Sequence, residues 1–417
     1  MKVLHVSTYD SQSGAARAAY ALHRALRGNS IDSKMLVASS SSGDPTVTEL
    51  SESGNRRWRA SQQADRRAWD LQKSPNIAWR SPALFGALNA RTINQSSADV
   101  VNLHWVTNGF ITIKQIGLIT KPIVWSMYDM WSFSGTEHYG ADTPDARWRS
   151  GYTRQNRLSG ETGVDIDRLA WDRKAKHWNQ PMNMVPASSW LEDRVASSAM
   201  CDLLNWNITR IPHVIDTEVF APIGQIAARA EFSLPPDVPL ILFLASGGVQ
   251  DQRKGWDLLD AALAKLLPQM PDLEVVIAGP VPAGFRTSSG APVHLVGDVV
   301  GSEKLRALYA ATSVVAVPSR EDTMPLTAME AQACGVPVVA FRIGGLPDIV
   351  DHQVTGYLAE PFDPGDLAAG LAAMLGGTET PVAERARDRA VRLWSPNVVA
   401  GSYTELYQTA IAAAQGK

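Results

Sequence analysis

Asp322 and Glu330 are two carboxylates whose types and spacing could bind a hydroxylated ligand. Asp322 follows an apolar run, and Glu330 comes eight positions later, in a segment with helical spacing of apolar residues. Carboxylates accept hydrogen bonds from ribose and hexose hydroxyl groups, and the N–H groups at the start of a helix bind a diphosphate. One loop and one helix therefore hold the groups that a nucleotide-sugar requires. A single glutamate would more often lie on a solvated surface, so the hypothesis depends on the whole pattern.

A strand, a helix and a glycine turn must position these carboxylates. Residues 312–319 predict a buried parallel strand, with Asp322 in the loop beyond its carboxyl end. Pro325 suits the first turn of a helix, and Gly335 is placed to end it. Gly344, the first of two glycines after the next strand, opens a loop in which the backbone can approach a ligand closely. Ligands of open parallel sheets bind at such carboxyl ends.

The segment from Asp322 to Glu330 resembles the acid-x7-acid signature of family 4 glycosyltransferases, which are retaining enzymes of the GT-B fold. The resemblance implies that Glu330 holds the ribose and that Asp322, in place of the usual glutamate, contacts the donor sugar. It also implies further donor-binding residues at the helix start and after an earlier strand, namely Thr323, Met324, Pro325, Leu326, Ser246 and Gly247.

Arg253 and Lys254 follow a predicted strand and precede a predicted helix. Fixed cations there would stabilise a leaving diphosphate more strongly in the transition state than in the ground state. The resemblance implies this role for Lys254, and Arg253 substitutes for an arginine that the family has at the position of Val249. Taken alone, the two residues would more often be a solvated charge pair.

Gly14 and Ala15 follow the first predicted strand, where the family has a glycine-rich loop. Small residues there let helix N–H groups approach an anion or the reacting sugar. Tight helix packing explains them equally well. The three-glycine spacing of a dinucleotide site is absent from this loop.

His104 and Asp129 each follow a predicted strand of the first half of the chain. Their segments resemble the acceptor side of family 4 enzymes that build bacterial surface polysaccharides of the colanic acid or exopolysaccharide type, with Tyr128 where that branch commonly has histidine. The resemblance implies that His104 and Asp129 bind the sugar or orient the acceptor hydroxyl. A lone histidine would more often have a structural role.

Asp165 and Asp167 match the aspartate-x-aspartate pattern of metal-dependent transferases. A three-residue match arises readily by chance among 42 acidic residues, and this one lies in a polar insertion. No metal and no cofactor are therefore predicted.

Composition excludes several classes of protein. The chain has 417 residues, 45% of them hydrophobic, and a net charge of −3, which favours two domains and gives no general attraction to nucleic acid. Cys201 and Cys334 indicate neither a disulfide framework nor a thiolate metal site. The amino terminus is predicted to be a core strand and no stretch reaches membrane-spanning length, so a cytoplasmic location is expected, or one at the cytoplasmic face of the inner membrane.

Strands alternate with helices along the chain, which predicts an α/β protein with two doubly wound, Rossmann-like parallel sheets. Residues 1–210 are predicted to bind the acceptor and residues 211–394 the donor, across a cleft, and residues 395–417 are expected to cross back to the first domain. The predicted strands are 3–7, 35–38, 99–104, 123–127, 240–245, 273–278, 293–296, 312–319 and 336–341.

Two stretches of the first domain, Arg56 to Arg80 and Arg147 to Trp178, mix arginine with tryptophan. Such residues could dock on an anionic membrane or hold the pyrophosphate of a lipid-linked acceptor. The alternative is a solvated helix whose tryptophans lie in the core.

These features together predict a retaining hexosyltransferase that uses a UDP- or GDP-sugar and a saccharide or lipid-linked saccharide acceptor in cell-surface polysaccharide biosynthesis. Two alternatives remain open. A nucleotide-sugar 2-epimerase shares the architecture and needs no acceptor, and a nucleotide-sugar-binding or assembly protein would bind the donor without transfer.

Overall fold

The computed structural model describes residues 1–75, 79–376 and 382–416. The chain divides into two compact units, one formed by Met1–Pro212 with Val399–Lys417 and the other by His213–Val398. Lys417, the last residue of the predicted closing segment, lies outside the described residues. Each unit contains one parallel sheet, which confirms the predicted α/β class.

Seven parallel strands form the sheet of the first unit, in the order β3-β2-β1-β5-β6-β8-β9, and β4 pairs with β7 in a separate antiparallel ladder. The strands of this unit are β1 (Lys2–Tyr9), β2 (Asp32–Ser39), β3 (Val47–Glu49), β4 (Gln72–Lys73), β5 (Val100–Leu103), β6 (Ile123–Met127), β7 (Thr162–Gly163), β8 (Asn183–Pro186) and β9 (Asn207–Ile208). All four strands predicted here are confirmed, as β1, β2, β5 and β6. Every residue of β5 and β6 is buried, as expected for central parallel strands.

The helices that follow these strands are α1 (Gly14–Gly28), α2 (Glu52–Trp69), α3 (Ala90–Asn94), α4 (Ile113–Ile116), α5 (Arg147–Ser150), α6 (Ile166–His177), α7 (Ser189–Ala196) and α8 (Ala199–Leu204). Helix α1 begins where Ser13 accepts a hydrogen bond from the N–H of Ala16, and it buries Leu22 and Leu26. This apolar face packs the helix against the sheet and fixes the loop that precedes it.

Six parallel strands form the second sheet, in the order β12-β11-β10-β13-β14-β15. They are β10 (Leu240–Leu244), β11 (Glu274–Ala278), β12 (Val293–Gly297), β13 (Val314–Val317), β14 (Val338–Phe341) and β15 (Gly356–Ala359). The five strands predicted in this half are confirmed within one or two residues at most ends. The order reverses between β10 and β13, and this reversal is the topological switch point at which doubly wound sheets bind ligands.

The helices of the second unit are α9 (Gln225–Glu231), α10 (Trp256–Leu266), α11 (Ser302–Ala311), α12 (Leu326–Ala333), α13 (Leu346–Ile349), α14 (Pro364–Leu375) and α15 (Val382–Trp394). Helix α12 is the one predicted from Pro325. It ends at Cys334, and Gly335 follows with φ of +73°, the left-handed conformation expected just beyond a helix end.

The last helix, α16, spans Pro396–Gln415, and its residues from Val399 onward belong to the first unit. There the Tyr403 hydroxyl lies 2.8 Å from the Ser126 hydroxyl, and the Tyr407 hydroxyl donates to the Asn102 side chain. Within the described residues, no helix combines the length and apolar character that a membrane span needs.

Candidate functional site

The predicted donor-site residues converge at the switch point of the second sheet. Lys254 lies in the loop after β10, and Asp322 lies in the loop after β13, the neighbouring strand. A shallow recess at these strand ends is lined by Lys254, Ser319, Pro325 and Thr327. Sheet topology therefore brings together residues that are 68 positions apart in the chain.

Lys254 and Asp322 form an ion pair in which the ammonium nitrogen lies 2.5 Å from Oδ2. Arg253 Nη1 lies 3.4 Å from the same oxygen and donates to the Glu321 carbonyl at 3.1 Å. Burial alone would raise the pKa of Asp322, but the two cations outweigh it and hold this pKa below its usual value. Asp322 is therefore an ionised carboxylate, which can accept hydrogen bonds from sugar hydroxyls.

Two glycines allow these loops to meet. Gly344 has φ of +56°, and a Cβ there would lie 2.0 Å from the Asp322 carbonyl oxygen. Gly255 has φ of +70°, and a Cβ there would lie 2.0 Å from the Pro318 carbonyl oxygen. At Gly344, the close approach is therefore between two segments of the protein's own backbone rather than between backbone and ligand. This contact fixes the position of Asp322.

The start of α12 faces the recess next to Lys254. Pro325 is its N-terminal capping residue, one position before the predicted first turn, and the Pro325 side chain makes no capping hydrogen bond. Thr323 and Met324 are buried, and Leu326 is half-buried. The N–H groups of a helix start beside a lysine form an arrangement suited to a diphosphate.

Glu330 lies farther along α12 and is buried. Its Oε2 accepts a hydrogen bond from the Tyr309 hydroxyl at 2.8 Å. Ser246 and Gly247, the remaining predicted donor residues of this unit, are exposed in the loop after β10 and do not line the recess. Tyr309 was missed by the sequence predictions because it lies on another helix, α11, and has no spacing relationship to Glu330.

His104 lies at the corresponding switch point of the first sheet, between β1 and β5. Its Nε2 lies 2.7 Å from Nδ1 of His5, and its Nδ1 lies 2.9 Å from the Tyr128 hydroxyl. Burial, followed by the effect of His104, lowers the pKa of His5 well below its usual value. Both ring nitrogens of His104 are thus engaged by the protein, and its predicted contact with an acceptor would require one of these partners to move.

Asp129 follows β6 and is held by three donors. Its Oδ2 accepts from His138 Nδ1 at 2.5 Å and from Trp105 Nε1 at 3.1 Å, and its Oδ1 accepts from the Trp131 N–H at 2.9 Å. His138 Nε2 in turn lies 2.8 Å from the Ser81 hydroxyl. Asp129 remains partly exposed, so it is a fixed carboxylate that a ligand can reach.

Lys174, on α6, holds the loop that carries Asp129. Its ammonium is fully buried and donates to the carbonyls of Trp131, Ser134 and Gly135. Burial lowers the pKa of Lys174 to about 7, against the opposing effect of nearby carboxylates. No sequence pattern had indicated this lysine.

Gly14 is the first residue of α1 and Ala15 the second, in the loop after β1. Gly14 is exposed, and a Cβ added to it would meet no atom within 4 Å. Packing therefore does not require glycine at this position, and the approach of a ligand here stays a prediction.

Asp165 and Asp167 are engaged with protein groups. Asp165 caps α6 and lies 2.8 Å from Arg147, whereas Asp167 is buried and accepts from Gln72 at 2.6 Å. Among the residues that the structure describes, no group of three or more His, Cys, Asp or Glu side chains could hold a metal ion.

Comparisons with known proteins agree with these features. A family model described as "Glycosyl transferases group 1" matches residues 239–376, which contain Lys254, Asp322 and Glu330. A protein of Nocardiopsis dassonvillei named D-inositol 3-phosphate glycosyltransferase is 30% identical over 326 residues, which are 73% of this chain and 69% of that protein.

A second protein of that name, from Saccharomonospora viridis, is 36% identical over 219 residues. This match spans 50% of the length of that protein and 48% of this chain. Among solved structures, HepE of Anabaena in complex with UDP and glucose has a TM-score of 0.66 at 15% identity, over 98% of this chain and 100% of that chain. This structural likeness shows the fold and confirms the predicted GT-B class.

Proposed function

The chain belongs to the group 1 glycosyltransferases of the GT-B fold, and we propose that it transfers a hexose from a nucleotide-sugar to a hydroxyl group of an acceptor. The observation that carries this proposal is that Lys254 and the start of α12 line one recess at the switch point of the second sheet, where Asp322 forms an ion pair with Lys254. A cation and the N–H groups of a helix start suit a diphosphate, and an ionised carboxylate suits a sugar.

In the proposed reaction, the bond between the anomeric carbon and the diphosphate oxygen breaks, and the acceptor oxygen attacks on the same face. The leaving diphosphate oxygen takes the acceptor proton, so configuration is retained and no protein nucleophile is needed. Lys254 donates one hydrogen bond to Asp322 and keeps two further donors for the leaving diphosphate. Glu330 binds the ribose, and the reaction uses no metal ion.

Arg253 has a supporting part in this mechanism. Because its guanidinium donates to the Glu321 carbonyl and lies 3.4 Å from Asp322, it holds the Asp322 loop in position and adds positive charge near the diphosphate.

The proposed donor is a UDP- or GDP-sugar. The UDP alternative is supported by HepE, a protein of the same fold that has been solved with UDP and with UDP-glucose. The binding experiment below decides between the two nucleotides.

The proposed acceptor is a saccharide or lipid-linked saccharide of a cell-surface polysaccharide, bound by the first unit. A second candidate is a phosphorylated cyclitol, which is favoured by the name that the curated relatives share, D-inositol 3-phosphate glycosyltransferase. In either case the nucleophile is a hydroxyl group of a polyol ring.

A peripheral contact with the inner membrane is also proposed, through the exposed basic face of α2. The arginines of this helix are exposed, namely Arg56, Arg57, Arg59, Arg66 and Arg67. Near its end, Trp69 packs edge-on against Trp79, which is 51% exposed. Cations beside an exposed tryptophan suit an anionic lipid surface. The second mixed stretch gives no such surface, because Arg147 pairs with Asp165 and Trp178 is buried.

Calorimetric titration with UDP-, GDP-, ADP- and dTDP-sugars, with and without a divalent-metal chelator, tests the donor site. We expect one nucleotide to bind selectively and chelation to leave its affinity unchanged. Loss of binding on chelation would contradict the metal-free mechanism, and absence of any binding would contradict the donor site itself.

Turnover separates the proposed function from its alternatives. Conversion of the donor alone to an epimeric nucleotide-sugar would indicate a 2-epimerase. Tight donor binding without any transfer to sugar or cyclitol acceptors would indicate a binding or assembly protein. Release of nucleoside diphosphate that depends on an acceptor, with retention at the anomeric carbon by NMR, is the result expected.

A further inference from the structure

Lys254, the cation proposed to stabilise the leaving diphosphate, lies at the end of a single 3₁₀ turn, Gln252–Lys254. None of the three side chains of this turn is buried, so burial in the core does not fix its place. Contacts with neighbouring polar groups therefore have to set its position. Two residues outside the turn, Arg320 and Asp257, supply such contacts.

Arg320, in the loop after β13, binds the turn through its main chain and its side chain. Its N–H donates to the Arg253 carbonyl at 2.8 Å, and its Nη1 donates to the Gln252 carbonyl at 2.8 Å. These carbonyls belong to the two residues directly before Lys254. Two hydrogen bonds from one residue thus hold both peptide groups that lead into the lysine.

Asp257, the second residue of α10, holds the Arg320 guanidinium in a fork. Its Oδ1 accepts from Nη1 at 2.8 Å, and its Oδ2 accepts from Nη2 at 2.6 Å. A planar guanidinium matches a carboxylate in this two-bond geometry, which fixes direction as well as distance. The hydrogen bond from Arg320 is also the main cause that holds the pKa of Asp257 below its usual value. Arg320 therefore connects the turn before Lys254 to the helix that follows it.

This arrangement, the Arg320–Asp257 pair with its two carbonyl contacts, is called the clasp below. The two side chains are 36% and 64% exposed, and exposed ion pairs contribute little to the stability of a fold. The position of a charged group matters more to a reaction, because a small displacement removes much of its effect. Since Asp322 lies two residues after Arg320, the clasp also places the turn beside the ion-pair partner of Lys254.

We propose that Arg320 and Asp257 are positioning residues, which hold the Lys254 ammonium where the leaving diphosphate develops its charge. They act through Lys254, and neither is among the described residues that line the recess. The inference rests on the proposed transferase function, since the diphosphate is the ligand for which the position of Lys254 matters. An exposed ion pair outside the recess then helps to set the rate of transfer.

Asp257→Asn and Arg320→Lys break the fork from its two sides. Asparagine has only one acceptor oxygen, and lysine keeps the charge but cannot form the two-bond fork. Each variant should lower kcat about 3- to 10-fold and change the donor KM less than about twofold, because Lys254 acts mainly on charge that develops in the transition state. The melting temperature should fall by no more than about 4 °C, the shift expected from one exposed ion pair.

Glu303→Gln is the matched control. Glu303 is likewise the second residue of its helix, α11, and it forms an exposed ion pair with Arg306 at 3.6 Å. The control should match the two clasp variants in melting temperature and the wild type in kinetics. An equal loss of kcat in Glu303→Gln would show a general effect of surface charge and would refute the clasp.

Lys254→Met reveals whether the clasp acts through the lysine. In this background, Asp257→Asn and Arg320→Lys should change kcat less than about twofold, since the group that they displace is gone. Losses that multiply, as they do for independent sites, would contradict the proposal, because the pair would then act on the donor or on the fold directly. Wild-type kcat in both single variants would also contradict it and would leave the proposed function standing.

A measurement without ligand decides the matter if no transfer is detected. Burial raises the pKa of Asp322, and the charge of Lys254, followed by that of Arg253, lowers it below its usual value. Removing the negative charge of Asp257 would by itself lower this pKa further, whereas displacement of Lys254 raises it. By ¹³C NMR on the full chain, we expect a rise in Asp257→Asn and none in Glu303→Gln. An unchanged or lower value in Asp257→Asn would overturn the inference, whether or not the protein transfers a sugar.

Discussion

The Lys254 ammonium lies 2.5 Å from Oδ2 of Asp322, so two residues proposed to bind different parts of one donor already bind each other. The pair fixes both side chains before any ligand arrives, and Lys254 of the pair lines the recess. It also keeps Asp322 ionised in spite of burial, because the cations beside it hold its pKa below the usual value. Lys254 therefore has a structural and a proposed chemical role, which substitution can separate.

Replacing Lys254 alone should damage both stability and transfer. Lys254→Met leaves Asp322, which is 6% exposed, with the more distant Arg253, 3.4 Å away, as its ion-pair partner among the described residues. We expect a loss of about 1–3 kcal/mol in the free energy of unfolding. We also expect kcat/KM to fall by the amount of a lost charged hydrogen bond, about 1.5–3 kcal/mol or roughly 10- to 150-fold.

The double variant Lys254→Met/Asp322→Asn distinguishes the two roles. Removing both charges should restore most of the stability, because no unpaired carboxylate stays buried. Transfer should stay low, because the diphosphate still lacks its cation. Urea denaturation and steady-state kinetics on the same preparations would check this, and recovery of wild-type kcat/KM in the double variant would show that Lys254 only neutralises Asp322.

Glu330→Gln should weaken nucleotide binding by about 1.5–3 kcal/mol, since a neutral amide replaces a charged acceptor of the ribose hydroxyls. The change should also reduce discrimination between UDP and 2′-deoxy-UDP, if UDP is the nucleotide bound. Calorimetry with both nucleotides measures this directly. Glu303→Gln is the control, because Glu303 is an exposed side chain of α11 in the same unit. Equal affinity of the Glu330→Gln and Glu303→Gln variants would contradict the ribose contact.

The fold was predictable because its central strands are apolar runs, which can be recognised in the sequence without knowing the strands they pair with. Strands such as β6, buried along its whole length, show this pattern in the sequence alone. Strand β8 was missed because its sequence, NMVP, contains asparagine and proline, which are depleted in strands, and β9 was missed because it has only two residues. Their place in the sheet depends on pairing with β6, which is a tertiary property.

The proximity of Lys254 and Asp322 was predictable because each follows a strand end, and parallel strands bring their ends together. Their contacts were not predictable. The ion pair of Lys254 with Asp322 depends on the close approach of Gly344 and Gly255 to neighbouring carbonyls. The burial of His104 between two partners depends on the pairing of β1 with β5. Neither the ion pair nor the burial of His104 can be deduced from the spacing of residues in the sequence.

Acid should destabilise the protein in part through His23. This residue is fully buried, and its nitrogens lie 2.7 Å from Ser33 and 2.8 Å from Thr46. Burial lowers its pKa to about 4, although Asp44 opposes the shift. Because the unfolded chain binds this proton near pH 6.5, the unfolded state holds more protons between about pH 4 and 6.5. The contribution of neutral His23 to the free energy of unfolding is therefore complete above about pH 6.5, and it is lost as the pH falls from 6.5 to 4.

The expected loss between pH 7 and 4.5 is about 2 kcal/mol for this one group. Other buried histidines add to the total, so the test compares urea denaturation of the wild type with that of His23→Gln. The free-energy difference between the two proteins should shrink by about this amount as the pH falls. Parallel stability curves across the window would show that His23 is not the titrating group.

Gly14→Ala separates a ligand contact from a packing role at the start of α1. A Cβ at Gly14 would meet no atom within 4 Å, and Gly28, at the other end of the same helix, is equally open. Alanine at either position should raise the free energy of unfolding by about 0.4–1 kcal/mol, because it restricts the unfolded chain. Only Gly14→Ala should impair transfer, by roughly tenfold or more. The reason is that a methyl group which weakens ligand binding by about 1.4 kcal/mol lowers the affinity tenfold. Thermal unfolding and acceptor-dependent release of nucleoside diphosphate would measure both quantities, and equal activity of the two stabilised variants would remove the amino-terminal loop from the site.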